Sequence, residues 1–296
     1  MKFMKKLFLF LAFFIFTQSA QAEVIIFACE PEWASLAREI VGNKARVLLA
    51  TKANEDPSNV RVTTDMLKFI RTADMVFCSG HGLEATWLNA ALNKSGNLTI
   101  LTRPNNLLFA FDYAVTKSSS ARIHLNPYNI ASVAAEFTKR IKIIDGLNAN
   151  FYQKSYENFS VKWQKSIAIW QSAAAPLKDM RVVVQNDNWQ EMIDWLGLKV
   201  AIKIEPQKTR LANNKILEDA LRVLKEKPAS AIIFANYEEK ASVMWLGEKS
   251  RTRIVLLPFT VGGAANSADL FQLFSTTINL LRADCSRVVC PPMVIN

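Results

Sequence analysis

Residues 145–176, DGLNANFYQKSYENFSVKWQKSIAIWQSAAAP, decide how the flanking sequence folds. Tyr152, Tyr156, Phe159, Trp163, Ile167 and Trp170 recur at steps of four, three, four, four and three. Lys154, Glu157, Lys162 and Lys165 mostly fill the other faces. That spacing is the apolar stripe of an amphipathic helix. At about 1.5 Å per residue it would run about 45 Å, the length of a whole lobe in a protein of this size. Asn148 or Asn150 is expected to cap its start, and Pro176, behind three alanines, to end it. A strand-and-helix alternation stops before this stretch and restarts after it, so it reads as a beam between two lobes.

Outward toward the amino terminus, continuous apolar runs at 24–29, 45–50, 75–78 and 97–101 read as strands. Helical patterns fall at 31–41, 63–72 (with Thr64 as a cap), 84–92 and 130–144. Beyond the beam, strands are expected at 181–184, 200–204, 231–235 and 254–257, and helices at 189–196, 214–225, 240–247 and 268–281. Strands that are apolar throughout, rather than alternating, belong to parallel sheets covered on both faces. The fold class expected is therefore α/β: two β/α lobes with parallel sheets, joined by a long connecting helix, with a ligand cleft between the lobes. The corresponding division is 1–22 signal peptide, 23–144 first lobe, 145–177 linking helix and 178–296 second lobe. Ligands of such sheets sit beyond the carboxyl ends of the strands, which places the site without naming the ligand.

The first 22 residues read as an address. Lys2, Lys5 and Lys6 precede an apolar run at 7–16, and Ala20-Gln21-Ala22 supplies small residues for a signal peptidase. The run is too short to span a bilayer, and no later stretch approaches about 18 consecutive apolar residues. No cysteine sits at the cleavage position to carry a lipid. The mature chain is expected to be a soluble monomer of a bacterial periplasm with no membrane insertion. Its formal charge of +10 falls to +7 once the three leader lysines are removed. The remaining basic residues are scattered without an aromatic platform, which argues against nucleic acid as a partner.

Four cysteines in an exported chain point to disulfides. Cys285 and Cys290 are close enough in sequence to form a clip. Cys29 and Cys78 end two expected strands that could be neighbours in one parallel sheet. Pairing 29–78 with 285–290 is one of three connectivities, and a cysteine metal site is the rival, disfavoured because no C-x-x-C spacing occurs.

Six short motifs now bear on identity: Phe27-Ala28-Cys29-Glu30-Pro31-Glu32-Trp33, Asp56-Pro57, Leu83-Glu84, Asn126-Pro127, Asp194-Trp195-Leu196-Gly197-Leu198 and Leu257-Pro258-Phe259-Thr260-Val261-Gly262-Gly263. Together, and in this order, they resemble the periplasmic metal-binding proteins of zinc and manganese ABC importers, over nearly all the mature chain. The resemblance implies two β/α lobes joined by a rigid helix, a metal ion held between them, and an ABC permease as partner. It also implies histidine ligands, which are missing here. Ser58-Asn59 follow Asp56-Pro57 where histidine is usual, Arg122 stands at the ligand position before Asn126-Pro127, and Gln185-Asn186 replace the histidine that opens the second lobe. Asp269 is the candidate acidic ligand, since Leu257 occupies the position that is acidic in some relatives.

Zinc takes about four nitrogen, sulfur or carboxylate donors at roughly 2.0–2.3 Å, and hydroxyl or amide oxygens replace them poorly. A guanidinium stays protonated and has no lone pair to offer. Zn²⁺ or Mn²⁺ would then be weakly bound cargo. His81 and His124 are the only histidines, and the two together with Asp56, Glu84 or Asp269 are candidates for an irregular metal site. Arg122 has three readings: a fixed cation replacing the metal by pairing with Asp187 or Asp269, a receptor for an anionic ligand beside Ser58, Asn59 and Asn186, or a solvated rim residue. Trp189 is a candidate for stacking on a ligand. Gly80-His81-Gly82 and Gly262-Gly263 lack phosphate-loop spacing and read as turns. No nucleophile–base grouping points to an enzyme. The expected function is the solute-binding component of a metal-type ABC importer with an altered site. The alternatives are an interaction scaffold with the same lobes and a binder of an anionic or organic ligand.

Overall fold

A computed structural model of the chain describes residues 23–116, 120–205 and 214–283, together with the backbone of 289–290. The leader and Cys285 lie outside the described residues, as does the side chain of Cys290, so the 285–290 pairing is not addressed. In chain order the first half contains β1 (Val24–Ala28), α1 (Pro31–Val41), β2 (Ala45–Leu49), α2 (Thr64–Thr72), β3 (Met75–Cys78), α3 (Leu88–Ser95), α4 (Leu98–Thr102), β4 (Leu107–Phe109) and α5 (Pro127–Ile144). The connecting helix is α6 (Ala149–Ala174). The second half contains β5 (Arg181–Val184), α7 (Gln190–Leu196), β6 (Lys199–Lys203), α8 (Asn214–Glu226), β7 (Ala231–Phe234), α9 (Ala241–Ser250), β8 (Ile254–Leu256), α10 (Leu270–Arg282) and β9 (Val289–Cys290).

Two sheets result, ordered β2-β1-β3-β4 and β6-β5-β7-β8-β9, with every neighbouring pair parallel. The fully buried β3 and β7 show why these segments read as unbroken apolar runs. Because β1 and β3 are neighbours, their ends bring Cys29 and Cys78 together, and a disulfide joins them. It closes a loop spanning 49 positions, worth about 4 kcal/mol of chain entropy in the loop-closure account.

One expected strand is a helix. Residues 97–101 give α4, and the strand that completes the first sheet is β4. Asn97 decides this. Its side-chain oxygen accepts from the Ile100 amide at 3.3 Å, and its Nδ2 donates to the Ile70 and Ala73 carbonyls at 2.8 Å each. A short apolar run carries no period that separates strand from helix, so the cap sets the outcome. The helix expected at 84–92 starts later, at Leu88, because Glu84 turns back to accept the amides of Ser79 and Gly80. Thr63, not Thr64, caps α2 by accepting from Met66 N at 3.2 Å.

α6 buries Tyr152, Phe159, Trp163, Ile167, Trp170 and Ala174 along one side, the stripe read from the sequence save for the half-buried Tyr156. Its 26 residues span about 39 Å. Asn148 occupies the N-cap position, as one of the two expected caps, but its side chain makes no capping bond. Asp145 organises the start by accepting from Asn148 N, Asn148 Nδ2 and the Tyr152 hydroxyl, the last at 2.6 Å. Pro176 sits in the turn Ala175–Leu177 that ends it.

The apolar interior has three parts. One lies between the first sheet and α2–α3, and another between the second sheet and α8–α9. The largest takes the other face of both sheets together with α1, α5, α6, α7 and α10, and runs without a break from one lobe to the other. Trp163 is its hub: fully buried, it donates its indole N–H to Pro127 O at 2.8 Å and meets Phe159, Trp170, Phe271 and Phe274 within 5.6 Å between ring centres. No helix among the described residues is long and apolar enough to cross a membrane.

Candidate functional site

The carboxyl ends of the strands carry the polar residues that the interior rejects. β1 runs into Glu30, and Pro31 then starts α1 with Glu32 in its first turn. β3 leads to Ser79 and Gly80, β7 to Glu238, and β8 to Phe259 and Thr260. Here the lobes meet. Thr260 Oγ1 donates to Glu32 Oε2, and His124 lies between Phe259 O and Glu32 Oε1, 2.9 Å from each through Nε2 and Nδ1. Farther along the contact, Glu191 of α7 accepts from the Thr116 hydroxyl at 2.9 Å and from Asn126 and Asn129 at 3.4 Å.

The turn Ile123–Leu125 sets the orientation of the two basic residues. Ile123 and Leu125 enter the shared core while Arg122 and His124 face the opposite lobe. Arg122 is 2% exposed. Its guanidinium lies 5.2 Å from the centre of the Phe259 ring, and its Nη2 is 3.4 Å from Asp56 Oδ1. That same Asp56 oxygen accepts from both the amide and the hydroxyl of Ser58, at 2.9 and 2.8 Å. The buried acids Glu30 and Glu238 feel its positive charge. Among the described residues, one gap between the lobes measures about 10 Å³ and is lined among others by Glu30, Glu32, Thr51, Arg122, Phe259 and Thr260. This is at the lower limit for a single water.

Electrostatics divide the acids into two kinds. Burial alone would raise the Glu32 pKa, but the His124 charge and hydrogen bonds from His124 and Thr260 outweigh it, so Glu32 is lowered and stays ionised. His124 Nε2 is within hydrogen-bond reach of Phe259 O, and Nδ1 lies 2.9 Å from Glu32 Oε1. Glu30 goes the other way: burial first, then the charges of Glu84 and Glu32, raise it well above the usual range against the pull of Arg122. Burial also raises Glu84. Burial lifts Glu238 to about 7, although the Ala235 amide, which donates to it at 2.7 Å, favours the ionised form.

This last shift fixes a sign. An acid whose folded pKa exceeds its unfolded value binds its proton more tightly in the folded state, so its contribution is full below the unfolded pKa and is lost as pH rises through the folded one. For Glu238 that window runs from about pH 4.5 to about 7. Glu238→Gln is expected to remove about 2–3 kcal/mol of the fall in stability across this window. Urea melts of both proteins at pH 4.5 and pH 8 check it, and parallel profiles would refute it.

The residues singled out from sequence have varied positions. Arg122, His124 and, through Asp56, Ser58 converge on the gap. Asn59 is exposed. Gln185 is buried and donates to the Glu239 carbonyl, and Asn186 accepts from Asn188 N at 2.9 Å. Asp269 caps α10 by accepting from Gln272 N at 2.7 Å, and exposed His81 stacks on Phe111 at 3.8 Å. Neither lines the gap. The ion partner of Arg122 is Asp56, not Asp187 or Asp269; Asp187 pairs with Lys203. Trp189 is fully buried, edge-on to Phe259 at 4.9 Å, which makes it core. Glu30, Glu32, Glu238 and Thr260 went unrecognised as site residues. The Glu-Pro-Glu that joins a strand end to a helix start was the available signal for the first two.

Among the described residues, one group of three potential ligands has its ligand atoms within 4.8 Å of one another: Cys29, Cys78 and Glu84. Its two sulfurs are bonded to each other.

The family described as zinc-uptake complex component A, periplasmic (ZnuA), matches residues 26–283. A search of curated proteins returned no match. Among solved structures, a crystal structure of ZnuA superposes with a TM-score of 0.75 at 18% identity, covering 88% of this chain and all of that one. The Mn-bound periplasmic metal-binding protein from Candidatus Liberibacter asiaticus superposes with a TM-score of 0.71 at 13% identity, covering 88% and 98% of the two chains. The Cd-bound form of the protein from that organism gives 0.71 at 14%, with the same coverage. At these identities the likeness is one of fold.

Proposed function

The chain belongs to the periplasmic zinc-uptake component A family, and from that premise we propose that it is the solute-binding component of a metal-type ABC importer whose cation seat has been altered. It works in the periplasm as a monomer, docking to an ABC permease, and Zn²⁺ or Mn²⁺ is at most weakly held cargo. The reading is carried by Arg122. A guanidinium buried between the lobes, stacked on Phe259 and paired with Asp56, supplies the positive charge that a divalent ion would bring to the surrounding acids. His124 is turned away from any cation seat at Arg122: its Nε2 is held at Phe259 O and its Nδ1 lies 2.9 Å from Glu32 Oε1. An anionic ligand would have to displace Asp56 and open a gap of about 10 Å³, so the anion-binding alternative is the weaker one.

Native mass spectrometry with elemental analysis of protein purified from the periplasm tests this. Zinc and manganese are expected well below one equivalent. Arg122→His, which puts an imidazole at the gap, is expected to tighten zinc binding at least tenfold in a competition titration. Stoichiometric metal in the wild type, or an unchanged affinity in the variant, would sink the altered seat. Co-purification with an ABC permease tests the transport role separately.

A further inference from the structure

The acids around the disulfide are arranged in a way that the interlobe contacts do not use. Cys29 and Cys78 are fully buried, and Glu84 and Glu30 are 2% and 1% exposed. The Cys29, Cys78 and Glu84 ligand atoms fall within 4.8 Å of one another. Glu30 follows Cys29 directly, and its Oε2 accepts from the amide and hydroxyl of Ser79, the residue after Cys78. Its Oε1 receives no hydrogen bond, and Glu30 lies against the Glu84 carboxyl, an arrangement that either a proton or a cation between the two acids satisfies.

We infer that Cys29, Cys78 and Glu84, with Glu30 as the fourth donor, form a second, redox-gated cation site of the zinc type, closed while the disulfide is intact and open once it is reduced. The gating step is thiol–disulfide exchange with a dithiol reductant. The dithiol supplies two electrons and two protons and ends as a disulfide, the Cys29–Cys78 bond breaks, and two thiols form. Zn²⁺ then displaces both thiol protons and the proton held between the two acids. Zinc with two thiolates and two carboxylates needs donor atoms about 3.3–3.8 Å apart, so the sulfurs separate while Glu84 moves little. Two thiolates also select a soft cation over Mg²⁺ or Ca²⁺. The four negative charges exceed the ion's two, and Arg122, whose charge acts on Glu30, offsets part of the remainder. Glu30 also lines the interlobe gap, which gives the ion its route. The site shares Glu30 with the rim of the interlobe gap, but its other three donors, Cys29, Cys78 and Glu84, lie outside the gap lining.

Cobalt(II) is the probe, because tetrahedral thiolate ligation gives a sulfur-to-metal charge-transfer band. The full mature chain carries Cys285→Ser and Cys290→Ser, so that only Cys29 and Cys78 can supply thiolates. Reduced with a dithiol, it is expected to bind one equivalent of Co²⁺ with that band, displaced by Zn²⁺, while the oxidised protein shows none. Glu84→Gln should weaken binding at least tenfold. If reduction alone melts the fold, added zinc is expected to restore the helical circular-dichroism signal. No band in the reduced protein, a failure of zinc to restore the signal, or an equal uptake by Cys29→Ser/Cys78→Ser would each overturn the proposal. Metal taken up by the oxidised protein would instead tell against the altered seat at Arg122, so the two failures are distinguishable.

Discussion

Arg122→Leu is expected to lower the unfolding free energy by about 3–5 kcal/mol at pH 7, the usual consequence of taking one partner out of a buried charge assembly. Asp56 accounts for little of this. Its side chain is 41% exposed, and water would take over from the guanidinium. The loss comes from Glu238, partly ionised at this pH and buried in the field of Arg122, and from the abandoned face of Phe259. Burial lifts Glu238 to about 7, so the loss should shrink toward pH 5, where a proton replaces the guanidinium. Arg122→Lys keeps the charge but not the planar stack and should fall between. Urea melts at the two pH values are the measurement. A leucine variant as stable as the wild type at pH 7 would mean that the guanidinium does not hold the acid.

Trp163→Ala is expected to cost about 3–5 kcal/mol, at the high end for a core truncation. The ring is fully buried, touches four other aromatic side chains, and satisfies Pro127 O, which would be left without its donor. Phe271 and Phe274 belong to α10 in the second half, and Pro127 opens α5 in the first, so the cavity would loosen both. Val161→Ala and Ile169→Ala on the exposed side of the same helix should stay within about 0.5 kcal/mol. Thermal melts of the three variants settle the comparison, and a Trp163→Ala loss no larger than theirs would refute the role of hub.

The long helix was legible because six large side chains hold its period over about five turns without a break. Parallel sheets were legible from runs such as 75–78, and the Cys29–Cys78 bridge followed from placing both residues at the ends of adjacent strands. The helix at Leu98–Thr102 was not, since a side-chain cap decided between two states that composition leaves equal. The site was half legible. Arg122 stood out because it replaces a donor by a group that cannot donate, but its partner Asp56 lies 66 positions away and depends on where a loop returns. Glu30, Glu32 and Glu238 were hidden because an acid in a sequence is usually solvated, and only convergence of strand ends buries these. Asp269 misled for a local reason: the carboxylate that reads as a ligand is spent on the first turn of a helix.

The apolar layer beneath both sheets bears on how the two halves can separate. A clam-shell swing about a flexible hinge would drag α5, α6 and α10 through that common interior and expose aromatic surface around Trp163 to water. A slight rocking, in which Glu32–Thr260 and His124–Phe259 part at the mouth while the floor stays shut, would expose far less of it. Under the proposed role, such a crevice would pass an ion and stop a larger molecule.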